Sequence, residues 1–518
     1  MSKDQFKPGR NFKHDLPASI VVFLVALPLC LGVALASGAP LFSGIIAGIV
    51  GGIVVGLASG SALSVSGPAA GLTTIVLAGI TTLGNYNAFL VTVFLAGIIQ
   101  IVLGYINAGS IGNYFPSTVI KGMLAAIGII LILKQIPHAI GYDKDFVGDE
   151  SFSQSDGENT FTELFHALDY INPGAIFICV LSLVILTLWE RPFLKNKLIT
   201  TILPAPLLVV ALGISMNELF RISAPQFFID SEHLVSLPVA SSLSSLADQF
   251  SFPDFSVILT KECWTIAITI GIVASLESLL SIEAVDKLDP FKRTTPLNRE
   301  LKAQGLANMV SGLIGGLPIT AVIVRSSANI AAGARTKSSA ISHGFLLLVT
   351  VILIPGLLNK IPLACLASIL LTVGYKLAKP SLIMDIYRQG KHQFIPFAVT
   401  ILAILLTDLL VGIGIGMAVG LFYVLRTNFH RALFTVDENG NHLIRLTKDV
   451  SFLNKALLRE TFGKIPDGSN VVIDGPRSAF IDHDILEEIS DFKKSSVNRD
   501  IHVEFNESLT AYNPLLKT

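Results

Sequence analysis

The sequence predicts an α-helical polytopic membrane protein of about fourteen transmembrane segments, followed by a small cytoplasmic α/β module. Three observations carry that expectation. Of 518 residues, 52% are hydrophobic and only 14% charged, at a mean hydropathy of +0.67. Apolar stretches of spanning length recur as far as residue 427. After Arg426 the composition turns to that of a soluble domain. The formal net charge of -1 leaves no basic surface domain and so no case for a nucleic-acid partner.

Residues 1–14 read as a polar tail without a signal-peptide cleavage pattern, so the first apolar run is expected to be a retained anchor. Spanning segments follow near 17–36, 40–58, 88–106, 117–133, 173–189, 198–213, 263–282, 301–314, 340–358, 361–377, 394–410 and 411–427. Two apolar runs, near 68–80 and 320–332, are too short to span alone. Basic residues fill alternate loops: Lys3, Lys7, Arg10 and Lys13, then Arg191, Lys195 and Lys197, then Lys292, Arg293 and Arg299. The intervening loops are acidic, as in 135–171, or nearly free of Lys and Arg, as in 214–262. That asymmetry predicts a multi-pass protein of the inner (plasma) membrane with both termini cytoplasmic. The transporter domain is expected over 15–430, with its halves near 15–213 and 260–430.

From 431 to 518 the periodicity switches to short strands, "HLIRLTKDV", "NVVIDGP" and "IHVEFNE", alternating with amphipathic helices, "FLNKALLRETFG" and "HDILEEISDFKKS". Such alternation predicts an α/β domain.

The two short runs carry the chemistry. "SVSGPAAGLTTIVLAG" opens on Gly67-Pro68 and "GGLPITAVIVRSSANIAAG" on Gly316 and Pro318, each followed by small residues. Pro suits a helix's first turn and Gly an unwound approach, so each run is expected to be a half-helix that starts within the membrane. Their places correspond: Pro68 follows Pro17 by 51 residues, and Pro318 follows Trp264 by 54. Paired Gly/Pro-interrupted segments in two halves point to an inverted-repeat transporter with its site between the half-helices. Unpaired N–H groups at two facing helix starts select an anion. Arg325 either leans toward the helix mouth as a fixed cation or snorkels to the headgroups.

Glu277, past the middle of its segment, is a second intramembrane charge, with Ser281 one turn later on the same face. It is a proton carrier, a ligand for a coupling sodium ion, or a structural partner of Arg325. Asp15, Lys121, Asp286 and Asp408 stand near segment ends and read as interfacial anchors. Cys30, Cys179, Cys263 and Cys365 lack any paired spacing and read as packing residues. No histidine cluster, nucleophile–base motif or phosphate loop occurs, which argues against an enzyme or an ATP-driven pump.

Four stretches together, "DLPASIVVFLVALPLCLGVALASGAP", "SVSGPAA", "SLESLL" and "GGLPITAVIVRSSANIAAGART", resemble the SulP family of sulfate permeases and related solute-carrier anion transporters. The resemblance implies seven plus seven inverted repeats, a core domain moving against a gate domain, and a homodimer in the bilayer. It places the anion at Gly67, Pro68, Ala69 and Ala70 and at Thr320, Ala321, Val322 and Arg325. Glu277 takes the place of the family's eighth-segment carboxylate, and the C-terminal module looks like a STAS domain. Sodium-dependent bicarbonate members carry a threonine and no arginine in the tenth segment, so Ile323 and Arg325 here favour protons.

The expected activity is secondary active transport of sulfate or bicarbonate by an elevator-type alternation, coupled to H+ or Na+ at Glu277 and Ser281, with no other cofactor. An exchanger or channel, a dicarboxylate transporter and an anion sensor acting through the C-terminal module are the rival readings.

Overall fold

The computed structural model describes residues 11–144, 159–191, 203–238, 249–430 and, with short breaks, 433–505. Most of the expected N-terminal tail, the acidic stretch 145–158, Lys195 and Lys197, and the ends of two expected C-terminal strands lie outside the described residues. The chain forms two compact units, Met1–Met417 and Ala418–Thr518.

Among the described residues, the regular structure of the first unit is helical apart from one strand pair. In chain order it contains α1 (Phe12–Ala36), α2 (Leu41–Ala58), β1 (Ser66–Pro68), α3 (Thr73–Leu83), α4 (Tyr86–Tyr105), α5 (Ser117–Ile140), α6 (Pro173–Trp189) and α7 (Ala205–Ser223). There follow α8 (Lys261–Leu288), α9 (Leu297–Ile314), β2 (Ile319–Ala321), α10 (Ile323–Ala331), α11 (Ser338–Leu353), α12 (Leu363–Leu377), α13 (Lys391–Leu406) and α14 (Leu409–His430), whose residues from Ala418 on belong to the second unit. Seven stretches among the described residues are long and apolar enough to cross a membrane: α1, α2, α4, α5, α7, α8 and Leu363–Arg388. Five more apolar helices, including α6, α11 and α13, are shorter, at 10–17 residues.

Some boundaries differ from the sequence expectation for local reasons. The segment expected at 198–213 becomes α7, which starts at Ala205 because Pro204 and Pro206 suit only a helix's beginning. The segment expected at 301–314 starts earlier, at Leu297, directly after Pro296. The acidic anchors are also corrected. Asp15 is fully buried and accepts hydrogen bonds from Arg335 N at 2.8 Å and Thr336 N at 3.0 Å. Asp286 accepts from Thr295 N and Oγ1, at 2.6 and 2.7 Å. Neither is a headgroup contact: each carboxylate satisfies backbone N–H groups where the chain turns.

Helices pack in two groups. In one, α1 lies against α2, α10 and α11, while α4 packs along α8 and α9. In the other, α5 packs on α12 and α13, and α6 on α7 and α12. Within each group a glycine pair brings two backbones together. A Cβ on Gly97 would stand 2.5 Å from Gly305 O, and one on Gly128 would stand 2.6 Å from Gly374 O. Close approach of this kind is what small residues supply where lipid offers no hydrophobic drive between helices.

A strap runs across the second group after α7. The Asn217 amide exchanges hydrogen bonds with Ile229 N and O, at 2.9 and 3.1 Å. Asn359 does the same with Leu237 N and O, at 2.7 and 3.0 Å. Between them Asp143 accepts from His233 Nδ1 at 2.6 Å and from His138 Nδ1 at 2.5 Å. The bond to Asp143 holds the His233 imidazole above its ordinary value, against the opposing effect of burial. Burial likewise opposes charge on Asp143, but the two imidazole bonds outweigh it and keep the carboxyl below its usual range.

The second unit holds β3 (Leu433–Glu438), β4 (Asn441–Leu446), α15 (Lys455–Gly463), β5 (Asn470–Asp474), α16 (His483–Ser496) and β6 (His502–Phe505). The sheet order is β3-β4-β5-β6, with β3 antiparallel to β4 and the other pairs parallel. Ile444, Val471 and Ile473 bury against Leu458, Ile485 and Ile489. The rings of Phe462 and Phe492 stack at 4.0 Å. β3 is an addition to the expected strands. Its residues are mostly exposed, so no apolar alternation announces it, although Asn439-Gly440 is a hairpin signal.

The strap gives a pH dependence with a defined sign. A raised folded value for His233 means its contribution is full below the unfolded imidazole value and fades as pH rises through the folded one. The Asp143 contribution is instead lost in acid, as pH falls through its lowered value. The melting-temperature gap between wild type and His233→Ala is therefore expected to shrink as pH rises above the ordinary imidazole value of about 6.5. A gap constant over that rise would remove the ion pair from the strap.

Candidate anion-binding site

The two short runs meet as an antiparallel strand pair. β1 and β2 cross with Ser66 opposite Ala321, Gly67 opposite Thr320 and Pro68 opposite Ile319. This corrects the expected role of the prolines. Pro68 ends a strand and Pro318 precedes one, and the helices begin later, at the 3-10 turn Ala70–Leu72 leading into α3 and at Ile323 for α10. The residue before each proline, Gly67 or Leu317, is pushed toward extended backbone and away from helix, and Gly67 without a Cβ admits a close neighbour.

Backbone in this crossing has no helix to satisfy it, and a polar stripe on α9 does so instead. Glu300, Gln304, Asn308 and Ser311 are each 0% exposed and recur at helical spacing on one face. Asn308 Oδ1 accepts from Ile319 N at 2.6 Å and its Nδ2 donates to Ile319 O at 3.0 Å. Ser311 Oγ donates to Leu317 O at 2.7 Å. Gln304 Nε2 donates at 2.8 Å both to Ser66 Oγ and to Glu300, whose other oxygen accepts from Ser59 Oγ. From α10, Ser326 Oγ accepts from Val65 N at 3.0 Å, and Val322 N donates to Val65 O at 3.0 Å. From α8, Ser278 Oγ accepts from Ala321 N at 3.3 Å.

Two uncapped helix starts lie beside this crossing. Neither Ala69 and Leu72, which precede the 3-10 turn and α3, nor Val322, which precedes α10, makes a side-chain cap. Donors left at a helix start with partial positive charge are a ready anion site. Gly67, Pro68 and Ala69 are buried, Ala70 is half-buried and Gly71 is exposed, so the crossing opens on the α3 side. Thr320 and Ala321 are fully buried and Val322 half-buried, and Thr320 Oγ1 has no hydrogen-bond partner.

The charges flank the crossing. Arg325 is the third residue of α10, nearer the helix start than expected, and it is 1% exposed, which overturns the headgroup alternative. Its NH1 lies where a Gly67 Cβ would be, 2.0 Å from that position. NH2 donates to Cys30 Sγ at 3.2 Å, while Nε and NH1 have no hydrogen-bond partner. Cys30, expected only to pack, therefore touches the guanidinium. Glu277 is 7% exposed, and its carboxylate oxygens stand 3.3 Å from a Cβ position on Gly71. Ser281 is buried one turn further along α8; the α8 hydroxyl that reaches β2 is Ser278.

A cavity of about 620 Å³ opens between the two helical groups, lined by Lys13, His14 and Val21, by Ala328 and Ala331 of α10, and by Lys376. It reaches the α10 helix without reaching the crossing. Its lining also includes Glu190, which pairs with Lys376. Gln304, Asn308, Ser278 and Cys30 were missed from sequence. The i, i+4, i+8 spacing of Glu300, Gln304 and Asn308 in an apolar chain was the signal that could have found the first two.

The sequence profile of the sulfate permease family matches residues 12–400. The putative sulfate transporter YvdB of Bacillus subtilis is 28% identical over 421 residues, which cover 80% of this chain and 74% of that protein. The bicarbonate transporter BicA of Picosynechococcus sp. is 27% identical, with coverage of 79% and 69%. Among solved structures, the transmembrane domain of a cyanobacterial BicA superposes with a TM-score of 0.56 at 24% identity, covering 79% of this chain and 98% of that one. The overall structure of SLC26A9 superposes at 0.66 and 15% identity, covering 100% and 87%. These last two establish likeness of fold.

Gly67→Ala is expected to displace the guanidinium, whose tip can swing aside, and so to weaken anion binding at least about tenfold with little change in melting temperature. Gly356→Ala, where a Cβ meets nothing within 4 Å, serves as the silent control. Asn308→Ala strands the N–H and C=O of Ile319 and should cost on the order of 2–4 kcal/mol of stability, read as a large fall in melting temperature. An unaffected melting curve would mean that other groups hold β2.

Proposed function

The chain belongs to the sulfate permease family, and on that footing we propose that it is a secondary active transporter of an inorganic anion, sulfate or bicarbonate. The observation that carries the reading is the crossing of β1 and β2, where two uncapped helix starts flank a buried arginine with two unpartnered nitrogens. A buried guanidinium without a hydrogen-bonded carboxylate is stabilised by an anion that brings its own charge and acceptors. Relatives named as sulfate and bicarbonate transporters support the same substrate class. The relatives are transporters, and the chain is not an enzyme.

The finer reading follows the same premise. Fourteen segments form two inverted halves, 15–213 and 260–430, with α3 and α10 as the matching half-length members. The helical group around α1, α8 and α10 is the core that carries the anion, and the group around α5 and α12 is the gate. An elevator-type displacement of one against the other exposes the site alternately, and the cavity of about 620 Å³ is the inward vestibule. Glu277, with Ser281 behind it, binds the coupling ion, H+ or Na+. The second unit is a cytoplasmic STAS-like domain, and the protein works as a homodimer in the inner membrane with both termini inside.

Uptake of labelled sulfate and bicarbonate into proteoliposomes under imposed proton or sodium gradients tests the proposal. Wild type is expected to accumulate one anion along one gradient. Arg325→Ala should lower apparent affinity roughly tenfold to a hundredfold, the worth of one charge-assisted hydrogen bond, and Glu277→Gln should abolish accumulation. Downhill flux indifferent to both gradients would replace the carrier by an exchanger or channel.

A further inference from the structure

His343, on α11, is 0% exposed, and neither of its ring nitrogens has a hydrogen-bond partner. An imidazole carries a donor and an acceptor when neutral and two donors when charged. Leaving both nitrogens unmet in a packed interior is costly in either state, so the ring's presence needs an explanation.

Its position supplies one. α11 packs against α1 and α2. Leu347, one turn beyond His343 on the same helix face, comes within 3.1 Å of a Cβ position on Gly48, where Cys30 Sγ and Arg325 NH1 also converge, at 2.6 and 3.8 Å. Gly344, the next residue, abuts Gly52 of α2. His343 thus flanks the pocket of the guanidinium, and the Arg325 charge acts on it electrostatically.

Other ionisable groups around the ring are few. α2 contributes no titratable side chain and α11 none besides His343. From α1 come Cys30, at the guanidinium, and, at the other end of the helix, Lys13, His14 and Asp15, the last bound to Thr336. Glu277 approaches from α8, at Gly71.

We propose that His343 is the proton acceptor of the anion site, taking up one proton when a divalent oxyanion binds at Arg325. The inference rests on the anion-site reading above and deepens it by assigning charge selectivity. Arg325 alone neutralises a monovalent anion. A dianion in the same enclosed space leaves one negative charge uncompensated, and a proton on the neutral His343 ring cancels it. The proton comes from the aqueous side that delivers the anion and leaves with it.

The test is calorimetric titration of the full-length protein in nanodiscs with inorganic sulfate, with nitrate and with bicarbonate, in two buffers of different ionisation enthalpy. Proton uptake per bound anion is then counted for wild type, His343→Gln and Glu277→Gln. Wild type is expected to take up about one proton with sulfate and none with nitrate. On the alkaline side of the titration, sulfate affinity should fall about tenfold per pH unit while nitrate affinity stays level. His343→Gln should keep nitrate binding and lose the proton uptake.

Sulfate binding by wild type with no proton taken up overturns the assignment without need of any variant. Uptake that survives in His343→Gln and vanishes in Glu277→Gln overturns it in favour of the α8 carboxylate. Absence of binding by sulfate, nitrate and bicarbonate alike in wild type would instead defeat the anion-site reading itself.

Discussion

The structure depends on satisfying backbone that is neither helical nor in contact with water. β1 and β2 interrupt two helical runs inside a helical, apolar unit, where each unmet N–H or C=O is expensive. Three residues facing one another across the crossing cannot meet all of these groups, so α9 turns a row of amides and hydroxyls toward them. The Asn308 amide acts as a short additional strand edge, bonding both polar groups of Ile319. Once the extended segments are held, α3 and α10 must begin beside them with uncapped first turns. The two uncapped helix starts are a consequence of how the interruption is braced.

Charge placement follows from the same bracing. Glycine at position 67 leaves the space that the Arg325 guanidinium occupies, so strand and cation are fitted to each other. Position 71 likewise admits the Glu277 carboxylate against the turn before α3. The two charged groups therefore address the same short run from residues four apart. Beside them, Cys30 furnishes a soft contact to the guanidinium, which keeps two nitrogens without a hydrogen-bond partner.

The frame around the crossing is set by close helix contacts and by straps. Gly97 against Gly305 locks α4 to α9, which in turn carries the brace. Gly128 against Gly374 locks α5 to α12 in the other group. The strap after α7 ties that second group through paired amide and imidazole bonds. An open cavity lies between the two groups.

Composition and the spacing of apolar runs determined the helical class, the long segments and the soluble character of the last ninety or so residues, because burial in lipid and burial in a small core leave different periodicities. Gly67, Pro68 and Arg325 were legible as a candidate site because each breaks a local rule for a membrane helix. Only tertiary structure decided that the broken segments pair as strands, since Ser66 and Ala321 lie 255 residues apart and pairing over that distance leaves no local pattern. It also decided that Asp15 is a clamp, that Ser278 rather than Ser281 holds β2, and that Cys30 and His343 neighbour the guanidinium. A polar residue in an apolar helix announces that it has a partner; which partner it has depends on the helix packed against it.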